Sequence, residues 1–126
     1  MSTAKINWAQ RLASRLVLGY VRNVPVGRGK HRLLSAARRF LVAELEPGLY
    51  IRVADLEWVE RNVIRHGSYE RDTMEVFASL LAPGMTVFDV GANVGPYALV
   101  AARRVGDRGS VHAFEPTPKS AAGLRR

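Results

Sequence analysis

Phe88-Asp89-Val90-Gly91-Ala92-Asn93-Val94-Gly95 is the stretch that decides the fold. Thr86 to Val90 reads as an apolar strand interrupted only by Asp89, as expected when both faces of a parallel sheet are covered. A helix from about Gly95 to Val105 follows. Pro96 stands near its first position, where a missing N–H costs nothing, and Gly106 suits its C-cap. Asp107-Arg108-Gly109 turns the chain into a second strand, Ser110 to Phe114, which ends on the lone carboxylate of Glu115. That order is the one expected where a βαβ unit cradles a nucleoside-containing ligand at the carboxyl ends of its strands. Thr117 and Pro118 then read as the N-cap and first residue of a further helix.

The residue types suit such a site. Gly91 lets the backbone leave the strand sharply and leaves room against the main chain. Asn93 stands where many such loops carry a second glycine, and asparagine tolerates positive φ. Gly95 allows the helix start to pack closely on the strand, and the helix N-terminus offers N–H groups. Glu115 lies 24 residues beyond Gly91, about where a carboxylate accepts hydrogen bonds from both hydroxyls of a ribose.

The dinucleotide fingerprint requires glycines at 91, 93 and 96, and two of the three are absent. A phosphate-binding P-loop ending in Gly-Lys-Ser/Thr is absent too. Asp89-x-Gly91-x-Asn93-x-Gly95 instead looks like the first motif of class I S-adenosylmethionine-dependent methyltransferases. Val87 to Gly95 and Gly109-Ser110-Val111-His112-Ala113-Phe114-Glu115-Pro116 closely resemble the FkbM-type methyltransferase family, and Gly67-Ser68-Tyr69-Glu70 resembles that family's approach to the motif. The similarity is tight over about 66–126 and loose upstream. It implies an α/β chain carrying part of a Rossmann-like methyltransferase fold, one βαβ unit preceded by a mostly helical basic region. It also implies S-adenosylmethionine as cofactor and a hydroxyl of a sugar or natural product as methyl acceptor. By the resemblance, Gly91, Ala92, Asn93 and Gly95 would line the methionine moiety, Glu115 would hold the ribose, and Asp89 would order the loop and reach the amino group. Tyr69 and Glu70 would close over the cofactor's tail. Pro96 departs from the family, where an aromatic residue is frequent; Tyr97 follows directly. No residue is assigned as catalytic base, because the acceptor site of such folds comes from later strands.

Working outward, the chain ends eleven residues after Glu115. The expected organisation is a basic helical extension over 1–48 and the N-terminal half of a methyltransferase domain over 49–126. A second strand left as an apolar edge would favour self-association. Whether the chain catalyses methyl transfer by itself is a separate matter from its ancestry.

The 126 residues are 48% hydrophobic, in the range of globular chains, and contain no cysteine. Disulfides, thiolate zinc sites and cysteine nucleophiles are thereby excluded. The apolar runs fall short of the roughly 18 residues of a membrane span, and a cytoplasmic setting is the default expectation. The formal charge of +8 is unevenly spread. Residues 1–43 hold nine Lys/Arg and no acid, whereas the rest of the chain holds ten basic and eleven acidic groups. Without aromatic interleaving this basicity is a weak nucleic-acid signal, and none is expected as a partner. His31, His66 and His112 are scattered, with no metal-ligand spacing.

Residues 5–22 place Ile6, Ala9, Leu12, Ala13, Leu16, Val17 and Tyr20 on one helical face, with Arg11, Arg15 and Arg22 opposite and Leu18 out of place. The face should pack on the domain, and Trp8 and Trp58 should be packing residues. Lys30 to Val42 predicts a second helix, Pro47-Gly48 a turn, and Leu49 to Val53 a short strand. Leu56, Val59 and Val63 suggest a helix ended by Gly67. A stronger one covers roughly Arg71 to Ala82, with Asp72 and Glu75 spaced as a capping box. Two other classes stay open: a non-catalytic cofactor-binding or interaction module, and a peripheral membrane or polyanion binder using the basic helices.

Overall fold

A computed structural model describes residues 6–23, 36–37, 40–52 and 69–124. They are mixed helix and sheet, in two compact units that divide between Tyr69 and Glu70. The helix expected around Leu56 to Val63, and Trp58 with it, lie outside the described residues.

The first unit sets helix α1 (Trp8–Asn23) against a hairpin of β1 (Val42–Glu46) and β2 (Leu49–Arg52). Asn7 caps α1, its Oδ1 accepting the Gln10 N–H at 2.8 Å, so the helix begins after it. The hairpin is antiparallel, pairing Val42 with Arg52 and Ala43 with Ile51, with an irregularity between Glu44 and Glu46. Pro47–Gly48 forms the turn, and Gly48 takes φ 80° there. The Gly48 N–H donates to Glu44 Oε1 at 3.0 Å. That bond is the main reason the Glu44 carboxyl titrates below its ordinary value, helped by Tyr50 and Arg15 against a smaller effect of burial. Leu41, Val42, Ala43 and Ile51 are buried.

Two expectations fail in this unit. Val42 belongs to a strand, not to the end of a second basic helix. The packed face of α1 is also not the predicted apolar one. Ser14 is 2% exposed and its Oγ accepts the Val42 N–H at 3.0 Å, while Gln10 donates to the Phe40 carbonyl. Arg11 lies 5.1 Å over the Tyr50 ring, and Leu18 is half-buried. Trp8, Leu12, Leu16 and Tyr20 are exposed. Hydrogen-bond demand from the hairpin backbone, invisible to hydrophobic periodicity, sets the rotation of the helix.

The second unit holds α2 (Arg71–Ser79), β3 (Thr86–Val90), α3 (Pro96–Val105), a short 3₁₀ turn (Gly106–Arg108), β4 (Ser110–Phe114) and α4 (Pro118–Leu124). β3 and β4 pair in parallel from Thr86↔Ser110 to Val90↔Phe114. With α3 as the crossover they form the expected βαβ unit. Val100, Ala101 and Val105 of α3 are essentially fully buried, each valine contributing about 1.5–3 kcal/mol. Gly109 has a steric reason: a Cβ there would sit 2.6 Å from the Met85 carbonyl oxygen and 2.4 Å from Val105 Cβ.

The sheet is not covered on both faces, as the apolar run of β3 had suggested. Val87 and Asp89 are half-buried, whereas Phe88 and Val90 are exposed. Nor does a capping box open α2. Glu70 is its N-cap in a left-handed conformation with no side-chain cap, and Glu75 pairs with Arg71 at 2.9 Å instead.

Candidate functional site

The loop between β3 and α3 turns through three residues of positive φ: Gly91 at 81°, Asn93 at 52° and Gly95 at 89°. Only glycine enters that region freely, and asparagine is the commonest substitute. A Cβ on Gly91 would meet nothing within 4 Å, so open space lies against the main chain there. At Gly95 a Cβ would lie 2.6 Å from Leu124 Cδ2. Its close neighbour is therefore the side chain of α4, where the sequence had suggested the strand. Ala92, Val94 and Pro96 are buried and anchor the loop.

The loop is tied to the end of β4 by its own amides. Gly91 and Ala92 N–H groups both donate to the Phe114 carbonyl, at 2.9 and 3.0 Å, and the Gly95 N–H donates to the Ala92 carbonyl at 2.8 Å. The Asn93 N–H donates to Glu115 Oε2 at 2.9 Å, and the Thr117 N–H donates to Oε1 at 2.7 Å. Glu115 is thus oriented by two backbone donors, one on the loop and one on the approach to α4. Bonds from Thr117, then from Asn93, hold its carboxyl below the ordinary range against a small opposing effect of burial. The Thr117 hydroxyl donates to it as well, so of the about four acceptor positions of an ionised carboxylate one remains for a hydroxyl donor.

Asp89, on β3, behaves oppositely. Burial pushes its carboxyl above the ordinary value, opposed by a hydrogen bond from the Ala98 N–H. Ala98 lies in the first turn of α3, so Asp89 supplies an acceptor that the N-cap Gly95 lacks. Its Oδ2 is buried and has no hydrogen-bond partner. Such an atom marks a place where a donor is missing.

Glu70 keeps a left-handed backbone at φ 38° and ψ 50°, unusual for a residue with a Cβ. Its Oε2 accepts the Tyr97 hydroxyl at 2.7 Å, and the Tyr97 ring packs edge-on to Phe77 at 5.1 Å. Glu70 is thereby linked to the second residue of α3. Tyr69 is buried and falls in the first unit. The structure therefore brings Asp89, Gly91, Ala92, Asn93, Gly95 and Glu115 together at the carboxyl ends of β3 and β4. Tyr97, Ala98 and Thr117 join them; Tyr97 had a sequence signal as the aromatic beside the departure at Pro96 and Thr117 as the N-cap of the next helix, whereas Ala98 had none. Among the described residues no group of three His, Asp or Glu could hold a metal ion.

The parallel βαβ unit, with a left-handed glycine loop facing a strand-end carboxylate, is compatible with a partial α/β fold. No family model matches the chain. Over 42 residues it is 52% identical to ribosomal RNA large subunit methyltransferase E of Alkalilimnicola ehrlichii, covering 33% of this chain and 20% of that protein. Over 77 residues it is 36% identical to 31-O-demethyl-FK506 methyltransferase FkbM of Streptomyces tacrolimicus, covering 60% of this chain and 27% of that protein. The matches span only about a fifth to a quarter of those curated relatives. What the chain shares with both is similarity to methyltransferases.

Proposed function

We propose that residues 70–124 form the cofactor-binding portion of a Rossmann-like, S-adenosylmethionine-dependent methyltransferase of the FkbM type. The observation that carries this reading is the Glu115 carboxylate. It is fixed by the Asn93 amide and by the amide and hydroxyl of Thr117 beside the glycine loop, and keeps acceptor capacity for a ribose hydroxyl. The loop amides of Gly91, Ala92 and Asn93 are spent on protein acceptors. Such a loop suits a nucleoside without phosphate better than a dinucleotide, whose pyrophosphate needs converging N–H groups. The open space at Gly91 and the orphaned Asp89 oxygen fit the amino-acid tail of the same cofactor, whose ammonium is a donor.

In this reading Glu115 holds the ribose, the Gly91–Gly95 loop lines the tail, and Asp89 receives the ammonium. Glu70 and Tyr97 hold the flank of the loop. The cofactor supplies a sulfonium methyl group. The chain's residues supply position, on which in-line transfer to a hydroxyl oxygen chiefly depends. The two relatives are named for different substrates, large-subunit ribosomal RNA and 31-O-demethyl-FK506. We favour a hydroxyl on a sugar or natural product, because the longer match is to the second.

Calorimetric titration with S-adenosylhomocysteine tests the reading. Binding should be weakened about tenfold or more by Glu115→Ala, the loss of hydrogen bonds to a charged acceptor. A folded chain that does not bind, or binds equally well without the carboxylate, would refute it.

A further inference from the structure

Helix α1 leaves four of its large apolar residues exposed. At about 100° per residue, Gln10, Ser14, Val17 and Leu18 share one side and are buried or half-buried, while Gly19, on the other side, is half-buried too. Trp8, Leu12, Leu16 and Tyr20 recur every fourth residue on the opposite side. They are 76%, 50%, 66% and 53% exposed. The helix has therefore turned polar Gln10 and Ser14 inward, where they bond the Phe40 carbonyl and the Val42 N–H. A tryptophan, two leucines and a tyrosine face water. An ordinary surface helix does the reverse.

We propose that this stripe is a docking surface for an anionic phospholipid bilayer, with α1 lying flat in the headgroup region. Three features select that occupant. The sequence over residues 1–43 carries nine Lys/Arg and no acid, and on α1 itself Arg11 and Arg15 are exposed, a charge that favours an anionic surface. Arg15, at the edge between the packed side and the stripe, is 74% exposed and only loosely paired with Glu44 at 3.7 Å. Trp8 and Tyr20 stand at the two ends of the stripe, and their amphipathic rings suit the boundary between acyl chains and headgroups. The four residues extend over about 18 Å of helix, an interfacial length rather than a spanning one. No helix among the described residues is long and apolar enough to cross a membrane. A polyanion such as nucleic acid would engage the cations but leave the apolar stripe unused.

The test is flotation of the whole chain with vesicles of about one part phosphatidylserine to four of phosphatidylcholine, beside pure phosphatidylcholine. In a Trp58→Phe background, Trp8 emission reports insertion. The anionic vesicles should carry the protein up and shift Trp8 emission to the blue, and high salt should weaken both. Leu12→Gln/Leu16→Gln should lower partitioning about tenfold or more, with helix content unchanged by circular dichroism because both positions are exposed. Trp8→Ala, in the native background, supplies an independent loss by flotation. The proposal is overturned by no flotation, by flotation indifferent to lipid charge, or by binding that survives loss of the stripe, as a polyanion binder would show. Stripe-dependent self-association without lipid binding would overturn it as well.

Discussion

Asp89 and Glu115 are both carboxylates of the same loop region, yet their surroundings drive them apart. Glu115 accepts bonds from the hydroxyl and amide of Thr117 and from the Asn93 amide, and titrates low. The stability it contributes is present above its ordinary value of 4.5 and is lost as pH falls through the depressed one. Asp89 is raised by burial, with one oxygen unpartnered. Its folded form holds the proton more tightly than its unfolded form, so stability falls as pH rises from about 4 through the raised pKa. The two signs oppose each other, and a substitution separates them. Asp89→Asn keeps an oxygen for the Ala98 N–H and removes the desolvated charge. Thermal unfolding should show a higher Tm for the variant at pH 7, with the gain shrinking toward pH 4. Equal Tm values at neutral pH would mean that the charge carries no cost. Binding of S-adenosylhomocysteine should weaken in the same variant, because an asparagine amide donates where the ammonium needs an acceptor. Stability gained together with affinity lost is the pattern of a residue held for function.

Element by element, what was legible in the sequence tracks how local its cause is. β3 and β4 occupy the residues read for them, and α3 starts at Pro96 and ends before Gly106, because proline and glycine act within a residue or two. Asn93 takes positive φ for the same local reason. The strap from Glu70 to Tyr97 was not legible: it spans 27 residues and depends on the packing of α2 beside α3. β1 was missed because the helix reading ran through Val42 and residues 43–46 drew no assignment; its strand character comes from pairing with β2. The rotation of α1 was missed because apolar periodicity counts Ser14 as a neutral position. It is in fact the acceptor for the outward-facing N–H of Val42. Ser14→Ala should therefore cost about 1–3 kcal/mol in urea unfolding, the penalty of an unsatisfied buried donor. A cost near zero would show that α1 is held by other contacts.

At the scale of the whole molecule, the open face of the β3–β4 sheet carries the largest unanswered demand for burial in the second unit. Phe88 is 64% exposed, Val90 82% and Phe114 52%. Phe88 stacks on His112 at 5.1 Å and on Phe114 at 6.3 Å, so the aromatic rings form a continuous surface. Parallel strands are ordinarily covered on both faces, and contiguous apolar patches of this kind mark association surfaces. We predict concentration-dependent self-association of the chain through this face, read by light scattering on gel filtration. Phe88→Thr/Val90→Thr keeps residues that favour strands while removing the patch, and should shift the chain toward monomer. Scattering that is monomeric throughout, with no change in the variant, would show that the face is already satisfied. Because the loop and Glu115 lie at the carboxyl ends of the strands, the double variant should retain S-adenosylhomocysteine binding. Loss of affinity alongside loss of association would mean that a second copy completes the pocket, joining the two surfaces into one site.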